Sequence, residues 1–338
     1  MKLANVFSSG TLVLGMAAMA GMAGCVGVES APPYPTRPVK LVVPYPAGNA
    51  ADLVARAVAE KLAGQWGQPV TVENQAGRVS VPGVDFVAKS PADGYTLLVH
   101  SISYAVDAGL YSNLPYDPAR DFAPVASIAR QPFVLVASPA LGAKSVAELT
   151  AMTQAQPGQY KFASLGPTTQ IYFVAEQFKR QSGAHAANVS HKTVIEANAA
   201  VARGDAAFWF PPVAGAMAGI KEGKLVPLAV TADQRWPALP QVPTMAEAGV
   251  PNMASAAWFG LWAPAGVPAA LVNKIGQDVA TALAAPDLRE KLARMGAEPL
   301  TMTPARFGGF IAGEIESSKR FVKELGIAPQ AYTPPAKQ

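Results

Sequence analysis

The stretch VKLVVPYPAGNAADLVARAVAEKL, residues 39–62, decides the fold. Val39 to Val43 is a short apolar run stopped by Pro44, which predicts a buried strand. From Asp52 to Gln65 the apolar residues Leu53, Val54, Ala57, Val58 and Leu62 recur at helical spacing, which predicts a helix with one core-facing stripe. Pro69 to Glu73 is strand-like again. Strand, glycine-bearing loop, helix and strand in series make an α/β unit, and such units stack into sheets covered by helices on both faces.

The alternation continues along the chain. Val81 to Lys89 reads as a short helix, and Tyr95 to Val99 as a strand announced by Asp93-Gly94. Phe133 to Ala137 is a strand, and Ser145 starts a helix with Glu148 three residues on. Strands follow at Tyr160–Ala163, Ala187–Ser190, Ala206–Phe210 and Leu225–Thr231. Between them lie helices over Thr169–Arg180, Val194–Arg203 and Ala214–Lys221. Trp258 to Ala263 is the last clear strand. The tail from Pro268 to Leu325 is helical, broken near Pro286 and Pro304. This order predicts parallel sheets. Crossover points at Gln131-Pro132 and at Pro251 to Ala256 would divide the body into two lobes with a cleft between them. Ligands of open α/β sheets bind at the carboxyl ends of strands, so function is expected in the loops that follow them.

Upstream of this body, Lys2 precedes a small and apolar run from Gly10 to Gly24 and then Cys25, the one cysteine among 338 residues. A positive start, an apolar stretch and small residues before a cut predict an export leader. The run is too short and glycine-rich for a good spanning helix. A lone cysteine after Met22-Ala23-Gly24 fits a bacterial lipoprotein signal with Cys25 lipidated, although Leu usually stands where Met22 is. An ordinary signal peptide is the alternative. The expected partition is therefore 1–25 leader, 26–38 proline-rich tether, 39–131 first lobe, 132–255 second lobe and 256–338 the return to the first lobe. Half of the residues are hydrophobic, ample for two cores. One cysteine cannot form an internal disulfide. Three histidines and that cysteine leave no metal cluster, and neither cofactor nor metal is expected. The net charge of +4 is scattered, which argues against nucleic acid. No G-x-S-x-G elbow, H-E-x-x-H pair or phosphate loop is present, so an enzyme, for instance a hydrolase, is a remote reading.

The loops carry a family likeness. Tyr34 to Val39 (YPTRPV), Val43 to Gly48 with Asp52, Pro91 to Leu98 (PADGYTLL), Leu114 to Val125, Lys221 to Thr231, Leu239 to Gly249 and Trp258 to Pro268 stand in order and at the spacing of one family. From Tyr34 to about Ile327 the chain resembles the substrate-binding receptors of tripartite tricarboxylate transporters, the Bug-type extracytoplasmic proteins. The resemblance implies a type II periplasmic-binding-protein clamshell with the C-terminal helices back on the first lobe. It also implies a monomer that grips a small carboxylate and presents it to membrane carrier subunits, or alternatively to a sensor kinase. It implies a grip through backbone N–H groups, which helix N-termini and tight loops offer to an anion.

On that basis the ligand-binding residues are expected to be Tyr45, Ala47, Gly48, Asn49 and Asp52 in the first lobe, and Ser164, Leu165, Gly166, Thr168, Thr169, His191 and Phe208 in the second. Several of these positions depart from the family. Its first loop has two adjacent glycines where this chain has Gly48-Asn49. Its Gly-Ala-Gly-Gly loop is Gly77-Arg78-Val79-Ser80 here. In the second lobe a family glycine is Thr168, a histidine is Tyr172, and an acid is Pro211. The scaffold is kept and the cleft loops are not, which predicts an altered ligand preference. A lost acid and an added Arg78 or His191 favour a more negative or an aromatic acid over an amino acid, whose ammonium would be left unpaired.

Overall fold

The computed structural model describes residues 33–77, 80–166, 169–253, 255–324 and 326–334. The expected leader with Cys25, the expected tether up to residue 32, and Arg78, Val79, Pro167, Thr168 and Ala254 lie outside the described residues.

Two mixed sheets organise the body. The first has six strands: β1 (Val39–Val43), β2 (Val70–Asn74), β3 (Thr96–Ser101), β4 (Phe122–Pro132), β10 (Ala256–Pro264) and β11 (Glu298–Pro299). Their order is β11-β4-β10-β3-β1-β2. The second has five: β5 (Val134–Ala137), β6 (Lys161–Ser164), β7 (Ala187–Ser190), β8 (Phe208–Trp209) and β9 (Val226–Val230), in the order β7-β6-β8-β5-β9. The chain leaves the first sheet after Pro132 and returns to it at Ala256.

The opening segment behaves as its sequence requires except at Leu53, which was expected in the core-facing stripe and is exposed. Val39, Leu41, Val42 and Val43 are completely buried, because β1 is paired in parallel with β2 on one side and β3 on the other. Helix α1 (Ala50–Trp66) lays Val54, Ala55, Val58 and Leu62 on the sheet and turns Glu60 outward. It ends at Gly67, which adopts φ +63°. Helix α2 spans Val81–Ala88, α4 Val146–Ala155, α5 Gln170–Ser182, α6 Val194–Arg203 and α7 Val213–Lys221. The tail breaks at the prolines that predict it, into α8 (Ala269–Ala284), α9 (Pro286–Arg294) and α10 (Pro304–Glu324). It packs on the first sheet. The Trp66 indole N–H donates to Asp278 at 2.7 Å, Lys61 pairs with Asp287, and Phe307 packs against Trp258 and Trp262.

Two expectations are corrected. The sheets are not all parallel: β10 runs antiparallel to β3 and β4, and β5 antiparallel to β8 and β9. The strands by which the chain enters each sheet from the other, β5 and β10, run against their neighbours, whereas β4, by which it leaves the first sheet, keeps the direction of β3. Besides the two-residue strand β11, inside the tail read as helical, two longer elements escaped the sequence reading. Strand β4 carries Pro124, Ser127 and Arg130 and so lacks a clean apolar pattern, yet it pairs with β10 from Phe122 opposite Pro264 to Pro132 opposite Ala256. Helix α3 (Ser103–Leu110) is too short for its stripe to stand out. No helix among the described residues is long and apolar enough to cross a membrane.

Candidate functional site

Three loops leave the carboxyl ends of the adjacent parallel strands β2, β1 and β3. The β1–α1 loop, Pro44 to Asn49, is built around a carboxylate. Asp52, 1% exposed, accepts from the Gly48 N–H at 2.8 Å, from Arg56 Nε at 3.0 Å and from Asn74 Nδ2 at 2.9 Å. Asn74 also donates to the Tyr45 carbonyl, which ties the loop to β2. Burial alone would raise the Asp52 carboxyl; Arg56, the Gly48 N–H and Asn74 outweigh it and hold it below its ordinary value. Gly48 takes φ +81°, where a side chain is strained, and the Asn49 side chain caps α1 by accepting from Ala51 N–H. The N–H groups of Ala47, Ala50 and Asp52 have no partner among the described residues. Ala47 and Ala50 stand at the exposed start of α1, where the helix dipole favours an anion, while Asp52 is buried.

Behind this loop lies a layer of polar groups that are uncharged or weakly charged. Tyr45 Oη sits 2.9 Å from Ser101 Oγ and 3.2 Å from His100 Nδ1. Burial holds the His100 ring down to about 4, against a Ser101 backbone hydrogen bond that works the other way, so it is neutral at neutral pH. Burial likewise pushes the Tyr45 hydroxyl up. Ser80 stands at the N-cap of α2, yet its hydroxyl makes no cap; it donates to Asp107 Oδ2 on α3 at 2.5 Å.

The second lobe builds its loop without a charge. Ser164, at the end of β6 and completely buried, accepts from the Gly166 N–H at 3.1 Å. Gly166 takes φ +114°. Thr169 donates to the Gly166 carbonyl at 2.8 Å and accepts from Tyr172 N–H, capping α5. The N–H groups of Gln170 and Ile171 at the start of α5 have no partner among the described residues. Just after the next strand the His191 N–H donates to the Ser164 carbonyl, and the buried His191 Nε2 has no partner among the described residues.

The predicted residues therefore separate by role. Ala47, Gly48 and Asn49 are exposed, and Tyr45, Leu165, Gly166, Thr169 and His191 are half-buried. Asp52 and Ser164 are buried and shape their loops from beneath. The Thr169 hydroxyl, expected to help hold the ligand, is committed to its cap and to Gly166. Phe208 is corrected outright: it is completely buried, and its ring meets Phe162, Phe178 and Phe210 inside the second core, leaving no face for a ligand. The sequence reading missed Arg56, Asn74, Ser101 and Asp107. Arg56 was legible as the i+4 partner of Asp52; the others come from different segments and meet only in the fold. A cavity of about 610 Å³ opens between α3, α5 and α10, lined among others by Ile102, Gln170, Phe173, Ser255 and Glu314. It touches the start of α5 but none of the predicted ligand residues.

The chain matches known proteins over nearly all of this body. The family model described as the tripartite tricarboxylate transporter family receptor matches residues 54–327. Protein BugT of Bordetella pertussis is 36% identical over 299 residues, covering 88% of this chain and 92% of that protein. The solved structure of Rhodopseudomonas palustris Rpa4515 with adipate is 33% identical and superimposes with a TM-score of 0.76, covering 88% of this chain and all of the other. MatC from the same organism, with bound malate, is 29% identical with a TM-score of 0.71, covering 86% of this chain and all of the other. The two-lobed clamshell expected from the sequence is the fold that these structures share.

Proposed function

We propose that this chain, which belongs to the tripartite tricarboxylate transporter receptor family, captures a small carboxylate between its lobes and delivers it to a membrane carrier of that transporter type. The observation that carries the reading is the pair of helix starts. Ala47 and Ala50 at the start of α1, and Gln170 and Ile171 at the start of α5, offer backbone N–H groups that have no partner among the described residues. Two acid groups at the two ends of one ligand would match two such starts. That adipate and malate are held by relatives supports a dicarboxylate. In this reading 39–131 and 256–338 form one lobe and 132–255 the other. His191 and the loss of an acid at Pro211 favour an acid over an amino acid on the second lobe.

A thermal-shift screen of the purified protein against mono-, di- and tricarboxylates, aromatic acids and amino acids tests this. A ligand at a hundred times its dissociation constant stabilises by about 2.7 kcal/mol, a clear shift in Tm. Stabilisation by dicarboxylates is expected; stabilisation by amino acids alone would overturn the reading. The leader supports an extracytoplasmic site of action with Cys25 lipidated. Cys25→Ala is then expected to leave the membrane fraction, and unchanged membrane association in that variant would refute the tether.

A further inference from the structure

Asp107 is an acid in the wrong place for an anion receptor. It lies one turn into α3, directly after the loop that leaves β3, and its Oδ2 accepts from Ser80 at the 2.5 Å already described. Ser80 is itself buried at the start of α2, where a serine would ordinarily cap the helix. Its hydroxyl is turned to the carboxyl instead. No arginine or lysine among the described residues pairs with Asp107. The neighbouring β1–α1 loop shows the contrast: there the buried carboxylate has Arg56, a backbone N–H and an amide.

The groups packed around Asp107 offer it no positive charge. Tyr45 of the β1–α1 loop and Tyr116 of the segment after α3 both feel its charge, and both hydroxyls are pushed up by burial first and by Asp107 after it. From α2 come Ser80 and, further along, Asp85, which is engaged by Lys89. His100 of β3 lies beyond Tyr45 and is neutral. On α10, Ser318 packs at Gly109 of α3, and the following Lys319 is engaged by Glu316. Arg78, two residues before Ser80, lies outside the described residues. Burial brings the Asp107 carboxyl up to about 7, and the Ser80 hydrogen bond is the force opposing it. A carboxylate arriving at the first-lobe loops adds a second negative charge beside this one, and two like charges in a partly buried site cannot both stay ionised cheaply.

We infer that Asp107 couples capture of a carboxylate to uptake of one proton. The inference rests on the proposed function. The buffer acid in bulk solvent gives up the proton and leaves as its conjugate base, an O–H bond forms on Asp107 Oδ1 while Ser80 keeps Oδ2, and the neutral acid donates toward the bound anion instead of repelling it. The ligand-free protein releases the proton as pH rises, so carboxylate affinity is highest in mildly acid solution. Asp107 thereby selects ligands with no ammonium at this end, since an ammonium would want the ionised form.

Calorimetry with adipate and with malate decides the matter. Between about pH 6 and about pH 8 the Kd is expected to rise about fivefold, the linkage for a carboxyl near 7 in the free protein whose proton is bound roughly one pKa unit more tightly in the complex. Titrations in two buffers of different ionisation enthalpy should give uptake of roughly half a proton, greatest between about pH 7 and about pH 8. Asp107→Asn, checked for folding by circular dichroism, should bind with the wild-type low-pH affinity at every pH. His191→Gln should keep the slope. A flat pH profile in the wild type overturns the inference alone, and failure of every carboxylate at every pH overturns the receptor reading with it. A slope kept in Asp107→Asn and lost in His191→Gln overturns it in favour of the histidine. Aspartate binding more tightly than malate, and more so as pH rises, would show Asp107 acting as an anion toward an ammonium. Should Asp107→Asn fail to fold, the wild-type proton count still decides.

Discussion

The β1–α1 and β6–α5 loops hold the same kind of donor by opposite means. Both follow a strand end, both bend at a glycine of positive φ, and both run into a capped helix with N–H groups that have no partner among the described residues. The first is fixed from beneath by an ionised Asp52 with Arg56 and Asn74, and its surface residues are exposed. The second is fixed by the neutral hydroxyls of Ser164 and Thr169 and is half-buried. An exposed loop gains little from packing, so its shape must come from strong directional bonds; charge-assisted ones serve best. A half-buried loop already has neighbours, and ordinary hydroxyl bonds of about 1 kcal/mol each suffice. The first loop should therefore be the more sensitive to loss of one side chain and the more sensitive to acid.

Removing the ionic support tests the comparison most severely. Asp52→Ala leaves the Gly48 N–H, Arg56 and Asn74 without their acceptor, and a loss of about 3 kcal/mol is expected from urea unfolding. The same carboxylate sets an acid limit. Its pKa is depressed by folding, so its stabilisation is present above the ordinary aspartate range and fades as pH falls through the lowered value. Asp52→Ala should therefore flatten the acid limb of the stability profile; an acid limb as steep as the wild type's would remove Asp52 from the account.

A smaller effect is expected where the two loops are most alike. Gly166→Ala places a side chain at φ +114°, with open space around the new Cβ, so strain alone acts. About 2 kcal/mol should be lost. Gly48→Ala, at φ +81° and also in open space, should cost less, because its φ lies closer to the left-handed helical region that side chains tolerate. Thermal unfolding of the two variants side by side gives the order, and the reverse order would mean that the Asp52 network, not the glycine, limits the first loop.

The mildest change separates capping from ligand binding. Thr169→Ala removes the acceptor for Tyr172 N–H and is expected to cost about 1 kcal/mol of stability. Thr169→Ser keeps the cap and should restore it. Carboxylate affinity should follow stability in this pair. Affinity lost in both variants would put the threonine methyl group, and not its hydroxyl, against the ligand.

Much of this was legible along the chain. The strand of Val39–Val43, most of the helical stripe of α1, the cap at Ser145, and the breaks at Pro286 and Pro304 are local consequences of residue type, and the sequence shows them. Phe208 was misplaced because its pattern says only that it lies in a strand. Which face meets a ligand depends on Phe162 and Phe178, residues 30 and more positions away. Strand β4 was missed because its pairing with β10 joins segments more than a hundred residues apart, and pairing overrode a poor local pattern.

By itself, then, the sequence determined the α/β units, the family and the loops in which binding should be sought, because periodicity, caps and turn residues act over a few neighbours. The tertiary structure alone decided the direction of the crossing strands, the four-residue network around Asp52, and the meeting of Ser80 with Asp107 across 27 positions. Those depend on which strand ends are brought side by side, and burial in that company, not residue type, sets whether a carboxyl group is a fixed anion or a proton carrier.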